Sequence, residues 1–324
     1  MKQEILNESP LVLKKFLGYL QTVKGKSPKT VEEYFFDLRT FFRYLKVSNH
    51  LVSPGIDFSE IKIDDIDINL LSEVTLTDVF EYMNYLAAVR GNHEAARSRK
   101  VASLRHFFKY LTNKTEELKK NPVLELETPK RAKKLPKFLS LEQSKDLIRC
   151  VETHGGKYKE RDYCILTLFL NCGLRLSEVA GINLNDYTPE GILKVTGKGN
   201  KERTVYLNDA CKSALEAYRK VRPNNGVKDR QALFISRQNN RISVKTIQLL
   251  VKKYLELAGL GEMGYSVHKL RHTAATLMYQ HGHVDIRILK EILGHENLGT
   301  TEIYTHIANS QLKNALESNP LSKI

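Results

Sequence analysis

The chain has 324 residues, 41% hydrophobic and 27% charged, which is enough for two cores and ordinary for a folded protein. No apolar run nears membrane-spanning length, and Met1-Lys2-Gln3-Glu4 opens without an apolar signal core, so a cytoplasmic protein without membrane contact is expected. The net charge of +14 points to a polyanion: residues 1–128 carry 19 Lys/Arg against 18 Asp/Glu, which leaves +13 for residues 129–324. A merely basic surface is the ordinary alternative. Cys150, Cys164, Cys172 and Cys211 lack metal-ligand spacing and read as free thiols in a reducing compartment, the middle two inside an apolar helical stretch.

The first 128 residues read as all-helical. Ser27-Pro28 opens a helix with a cap and a first-turn proline, reinforced by a Thr30–Glu33 capping box. Val31, Tyr34, Phe35, Leu38, Phe41, Phe42 and Leu45 follow at helical spacing. Leu51 to Asn69 is a looser acidic connection. A second amphipathic run follows Thr75, with Val79, Phe80, Met83 and Leu86 on one side. A third spans Glu94 to Leu111, with Val101, Leu104, Phe108 and Leu111 inward and Arg97, Arg99, Lys100, Arg105 and Lys109 on the other face. That basic face is either a solvated surface or a nucleic-acid contact through Arg97, Arg99, Lys100 and Arg105.

Periodicity stops at Pro129-Lys130-Arg131-Ala132-Lys133-Lys134-Leu135-Pro136-Lys137. This reads as a linker over 129–137 whose Lys130, Arg131, Lys133 and Lys134 can cross a DNA backbone. The second domain, 138–324, opens its first helix at Ser140, with Gln143 at the capping-box position. Helical patterns recur at 141–152, 161–172, 209–221, 244–258, 267–280 and 285–293. One β signal interrupts them: Ile192–Thr196 and Arg203–Leu207 around a Gly/Asn-rich tip form a hairpin. The fold class is therefore mainly α, in two domains, with a small antiparallel sheet in the second.

Cleaving a phosphodiester at phosphorus requires neutralised non-bridging oxygens, an activated nucleophile and a proton for the leaving oxygen. Guanidinium suits the first task because it is planar, permanently charged and bidentate. Arg175 follows Gly173 where a loop turns into a helix, and Glu178 is placed to hold it across one turn. Arg271 lies three residues after His268, so the two share a helix face. Taken singly, each residue has an ordinary role, as a surface ion pair, an accommodated imidazole or a packing tyrosine; Lys198 alone is a solvated lysine at a hairpin tip. Their order along the chain is what raises a catalytic reading.

Four motifs stand in sequence: Gly173-Leu174-Arg175-Leu176-Ser177-Glu178, Gly197-Lys198-Gly199-Asn200-Lys201-Glu202-Arg203, His268-Lys269-Leu270-Arg271-His272, and Leu293-Gly294-His295 with Tyr304 nine positions later. Together they resemble the tyrosine recombinase (integrase) family, and most of all its bacterial Xer-type branch. The likeness spans essentially the whole chain, and no catalytic position departs from it. It implies a two-domain DNA clamp, a helical core-binding domain followed by the catalytic domain. It implies Tyr304 as the nucleophile that forms a 3′-phosphotyrosyl bond, with Arg175 and Arg271 clamping the phosphate and His295 bonding a phosphate oxygen. The resemblance further implies Lys198 as the proton donor to the leaving 5′-oxygen and His268 as an aid to proton transfer from the phenol. The phosphotyrosyl ester conserves the linkage energy, so no cofactor, ATP or metal is expected. In keeping with that, the sequence has no Walker loop and no HExxH motif.

Ile307, Ala308, Leu312, Ala315 and Leu316 space out a small apolar stripe after Tyr304. It serves either a helix folding back on its own domain or a contact with a neighbour. The resemblance implies the neighbour: a homotetramer or heterotetramer around two double-stranded DNA sites, with a DNA translocase as a further candidate partner. The helical domain begins almost at residue 1, without space for an arm-site-binding domain, which favours resolution of chromosome or plasmid dimers over a phage or transposon integrase. A non-cutting DNA-binding protein of the same fold and a type IB topoisomerase are the competing readings.

Overall fold

The computed structural model describes residues 3–127, 137–197, 199, 201–282 and 284–294. The chain divides into two units, Met1–Lys133 and Lys134–Ile324. The basic residues Lys130, Arg131, Lys133 and Lys134 lie outside the described residues.

In the first unit the described residues form α1 (Gln3–Glu8), α2 (Leu11–Thr22), α3 (Pro28–Ser48), α4 (Ile68–Ser72), α5 (Leu76–Ala88) and α6 (Glu94–Asn113). Ser27 Oγ accepts the Thr30 N–H at 3.3 Å and Pro28 is the first helical residue, so α3 begins where proline costs no hydrogen bond. The expected Thr30–Glu33 box does not form, because the helix has already started at Pro28. Glu33 instead lies 3.4 Å from Arg99. Helix α5 opens on a reciprocal cap between Thr75 and Asp78.

The core of this unit is aromatic. Phe16, Phe35, Phe41, Phe42, Tyr82, Phe107 and Phe108 are fully buried, and rings meet edge-on, as in Phe41–Tyr82 at 5.1 Å and Phe42–Phe107 at 5.6 Å. Phe80 does not join them: it is 49% exposed, and Tyr82 takes the inward place between Val79 and Leu86. Residues 79, 82 and 86 share one face of a 3.6-residue helix, and residue 80 sits a further 100° around it. The acidic connection after α3 is less loose than its composition implied, since Ile61, Ile63 and Ile66 are buried.

Lys100 also departs from its expected place. It does not stand on the outward basic face of α6 but is buried, with Nζ 3.0 Å from Oδ1 of the buried Asp37. Arg99 Nη1 (2.5 Å) and Ser103 Oγ (2.8 Å) donate to Oδ2 of the same carboxylate. Lys100 stands four residues before Leu104 and seven before Phe107, on the buried face of α6. Burial pushes its ammonium below the ordinary lysine value, although Asp37 pulls the other way.

In the second unit the described helices are α7 (Leu141–His154), α8 (Lys159–Cys172), α9 (Leu176–Gly181), α10 (Asp209–Val221), α11 (Val244–Leu257), α12 (Val267–Gln280) and α13 (Ile286–Leu293). Ser140 and Gln143 form the expected capping box. Helix α8 is central: Cys164, Ile165, Leu166, Leu168 and Phe169 are all fully buried, and α7, α10 and α12 pack around it. A helix covered on every side has no polar face, which explains its continuous apolar run. Strands β1 (Ile192–Thr196) and β2 (Glu202–Tyr206) pair antiparallel with Leu193 opposite Val205 and Val195 opposite Arg203. The Gly197 N–H donates to the Lys201 carbonyl across the tip at 2.8 Å. The four cysteines are free; Cys164, Cys172 and Cys211 are buried. No helix among the described residues is long and apolar enough to cross a membrane.

Removing the amine that faces Asp37 leaves a buried carboxylate short of a counter-charge. Lys100→Met is expected to lower the stability of the first unit by about 3 kcal/mol, read as a lower urea midpoint. Lys109→Met, at an exposed position of the same helix, is the control and leaves the midpoint in place.

Candidate functional site

Helix α8 ends at Cys172 because Gly173 takes the left-handed conformation, φ +58°, that closes a helix. A Cβ there would stand 2.8 Å from Leu293 Cδ2, so the glycine also permits close approach of α13. Leu174 is buried and anchors the turn. Arg175 then caps α9 in an extended conformation, and its N–H donates to Glu178 Oε2 at 2.7 Å. Its Nη1 donates to Glu178 Oε1, also at 2.7 Å. Glu178 therefore holds both the backbone and the guanidinium of Arg175, and the Arg175 side chain stays one-third exposed, at 33%.

Helix α12 supplies His268 and Arg271. His268 is exposed near the helix start, and its ring meets that of His272 edge-on at 4.5 Å. Desolvation, then Arg271 and Lys269, pushes its imidazole below the ordinary histidine value, which favours the neutral, proton-accepting form at pH 7. Arg271 is buried. Its Nη1 donates to the Gly173 carbonyl at 2.6 Å and its Nη2 to the Leu293 carbonyl at 2.5 Å.

The last carbonyls of a helix lack intrahelical donors and carry the negative end of its dipole. At the end of α13, where Gly294 turns left-handed at φ +62°, each of three consecutive carbonyls receives a different arginine. Arg203 Nη1 reaches Ile292 at 2.6 Å, Arg271 Nη2 reaches Leu293 at 2.5 Å, and Arg175 Nη2 reaches Gly294 at 2.5 Å. Arg203 also grips Glu178, through Nη2 at 3.0 Å and Nε at 3.4 Å. Burial by itself raises the Glu178 carboxyl, but the Arg175 N–H, Arg203 and the Arg175 guanidinium together hold it below the ordinary carboxylate value. Three guanidiniums against one carboxylate leave a net positive locus, which suits an anion.

The structure thus brings together Arg175, Glu178 and Arg271, with His268 on the same helix as Arg271. Lys198, His295 and Tyr304 lie outside the described residues. In the other unit, Arg97 Nη1 donates to the Asn92 carbonyl at 2.7 Å, Arg99 remains 44% exposed while paired with Asp37, and Arg105 is half-buried. Arg203 closes the second motif, but the sequence assigns it no role. A signal was present: β2 alternates, so Arg203 shares the inward side with Val205, and an arginine on the inward side of a strand needs buried partners.

The model of the phage integrase family matches residues 137–311. A tyrosine recombinase XerC of Caldanaerobacter subterraneus subsp. tengcongensis is 53% identical over 97% of this chain and 88% of that protein. A second tyrosine recombinase XerC, of Thermodesulfovibrio yellowstonii, is 35% identical over 95% of this chain and 96% of that one. Among solved structures, the XerH site-specific recombinase bound to difH substrate, a pre-cleavage complex, superposes with a TM-score of 0.70. It is 22% identical and covers 97% of this chain and 87% of its own, which shows a shared fold.

The lowered Glu178 pKa carries a pH dependence. Its stabilising contribution is complete above the unfolded carboxyl value of about 4.3 and is lost as pH falls through the lower folded value. Glu178→Gln should therefore be less stable than wild type at pH 7, with the difference in urea midpoint shrinking as the solution is acidified below about pH 4. A gap of constant size across that range would show that the carboxylate charge is not what stabilises the network.

Proposed function

The chain belongs to the phage integrase family, and from that premise we propose that it is a site-specific DNA recombinase that cuts and rejoins strands through a 3′-phosphotyrosyl intermediate. The carrying observation is the convergence of Arg175 and Arg271 on the adjacent carbonyls of Gly294 and Leu293, immediately before His295 in the chain. A guanidinium has five donors, so one bonded to a carbonyl and a carboxylate still has N–H groups to offer a phosphate. In this reading the two arginines neutralise the non-bridging oxygens of the scissile phosphate and His295 adds a hydrogen bond. Glu178 keeps Arg175 oriented.

Tyr304 Oη attacks phosphorus, the P–O5′ bond breaks, and Lys198 delivers a proton to the departing oxygen. A phenol is largely protonated at neutral pH, so it needs a proton acceptor and cationic neighbours; the depressed pKa of His268 fits the acceptor role. The incoming 5′-hydroxyl of another strand then reverses the step. Residues 1–128 act as the core-binding domain and 138–324 as the catalytic domain. Lys130, Arg131, Lys133 and Lys134 of the linker, with Arg97, Arg99 and Arg105 of α6, contribute DNA contacts. The buried Lys100 does not join them.

The 53% identity to a XerC protein across nearly the full chain supports a Xer-like, cytoplasmic role in resolving chromosome or plasmid dimers over a mobile-element integrase. Assembly as a homotetramer or heterotetramer on two duplex sites, through a tail that docks on a neighbour and with a translocase as regulator, completes the proposal.

A DNA substrate nicked next to its cleavage site should trap a covalent protein–DNA adduct, since the short fragment diffuses away and the reverse step is lost. Tyr304→Phe should abolish the adduct and leave DNA binding intact. Wild-type protein that binds the site without any adduct would mark a non-cutting binder. Supercoil relaxation by a monomer on unpaired DNA would mark a topoisomerase.

A further inference from the structure

Arg203 has no part in the chemistry outlined above, yet it makes more described contacts with the site than an incidental surface arginine would. It projects from β2, opposite Val195 of β1, and its side chain is 16% exposed. One end of its guanidinium holds Glu178 and the other holds the Ile292 carbonyl, at 3.0 Å and 2.6 Å. It is also packed against the helix end itself, because a Cβ on Gly294 would stand 2.8 Å from Arg203 Cδ and 3.0 Å from Nε. A single side chain therefore links the hairpin to α9 and to the end of α13, the two elements that Arg175 also links.

We propose that Arg203 is a positioning residue: a strut that fixes the base of the β1–β2 hairpin against the phosphate-clamping arginines, and proton delivery by Lys198 depends on it. The inference rests on the recombinase reading, in which Lys198 protonates the leaving oxygen. Three observations carry it. Arg203 shares the buried carboxylate of Glu178 with Arg175, so the hairpin is tied to the same anchor that orients the clamp. The tip is short, with β1 ending at Thr196 opposite Glu202 and Gly197 bonded to Lys201, so a fixed Arg203 sets the base of that tip within a few residues. Its largely buried side chain, occupied by a carboxylate and a carbonyl, is ill placed to serve as a DNA-backbone contact.

The test compares wild type, Arg203→Ala and Arg203→Lys on two nicked substrates. One carries the ordinary 5′-oxygen at the scissile phosphate. The other carries a bridging 5′-sulfur, which departs as a thiolate and needs no proton. On the oxygen substrate Arg203→Ala should form adduct about a hundredfold more slowly than wild type, the scale of an ångström-size misplacement. On the sulfur substrate most of that deficit should disappear, and Arg203→Lys, which keeps the charge but loses the fork, should fall between. DNA affinity and its salt dependence should stay at the wild-type level. A deficit of equal size on both substrates would overturn the strut, as would a salt slope lower by about 0.9, the mark of a lost phosphate contact. If alanine prevents folding, the lysine variant gives the same comparison. Wild type that forms no adduct on either substrate would sink the recombinase reading itself, whereas an active wild type with an equal deficit removes only the role of Arg203.

Discussion

One buried carboxylate organises the second unit. Glu178 is inaccessible to water, and an ion in that position is tolerable only when counter-charges and hydrogen bonds surround it. Arg175 and Arg203 meet that demand from opposite sides, one from the helix start and one from the hairpin. Each guanidinium then has donors left for the exposed carbonyls at the end of α13, and Arg271 completes the set from α12. The cationic site is thus assembled by four elements distant in sequence, with electrostatic necessity acting as the assembly rule. Loss of the carboxylate would leave Arg175 and Arg203 facing one another without a shared counter-charge.

The two units handle charge in different ways. Residues 1–128 are almost neutral, and many of their cations are consumed internally. Lys46 pairs with Asp65, Arg39 and Arg43 pair with Glu8, and Lys100 pairs with Asp37. The second part of the chain carries the surplus, and at the described site the fold gathers three arginines and one carboxylate. A polyanion therefore meets a focused field in that unit.

Much of this was legible in the sequence, because local chemistry fixes helix ends and periodicity fixes faces. The Ser27-Pro28 start, the Ser140–Gln143 box and the hairpin around 197–201 all rest on contacts within a few residues. The Arg175–Glu178 pair is equally local. The misreadings share a different cause. Lys100 looks solvated until Asp37, 63 residues away, appears beneath it, and Phe80 looks buried only if adjacency is mistaken for a shared face. Arg203 escaped because its partners, Glu178 and Ile292, are 25 and 89 residues distant. Long-range pairing decides which partner a cation meets; the alternation of β2 marks Arg203 as inward but does not name Glu178 or Ile292.

Gly173 carries a consequence for anyone who would engineer this molecule. The residue that ends the central helix also offers its carbonyl to Arg271 and leaves room for Leu293. Hydrophobic packing and anion recognition are therefore drawn through the same narrow seam. Enlarging a side chain at that seam to tighten the interior would spread the guanidiniums apart. Thermal robustness and turnover would then trade against each other there, and hardening of the protein is better sought on the far side of α8.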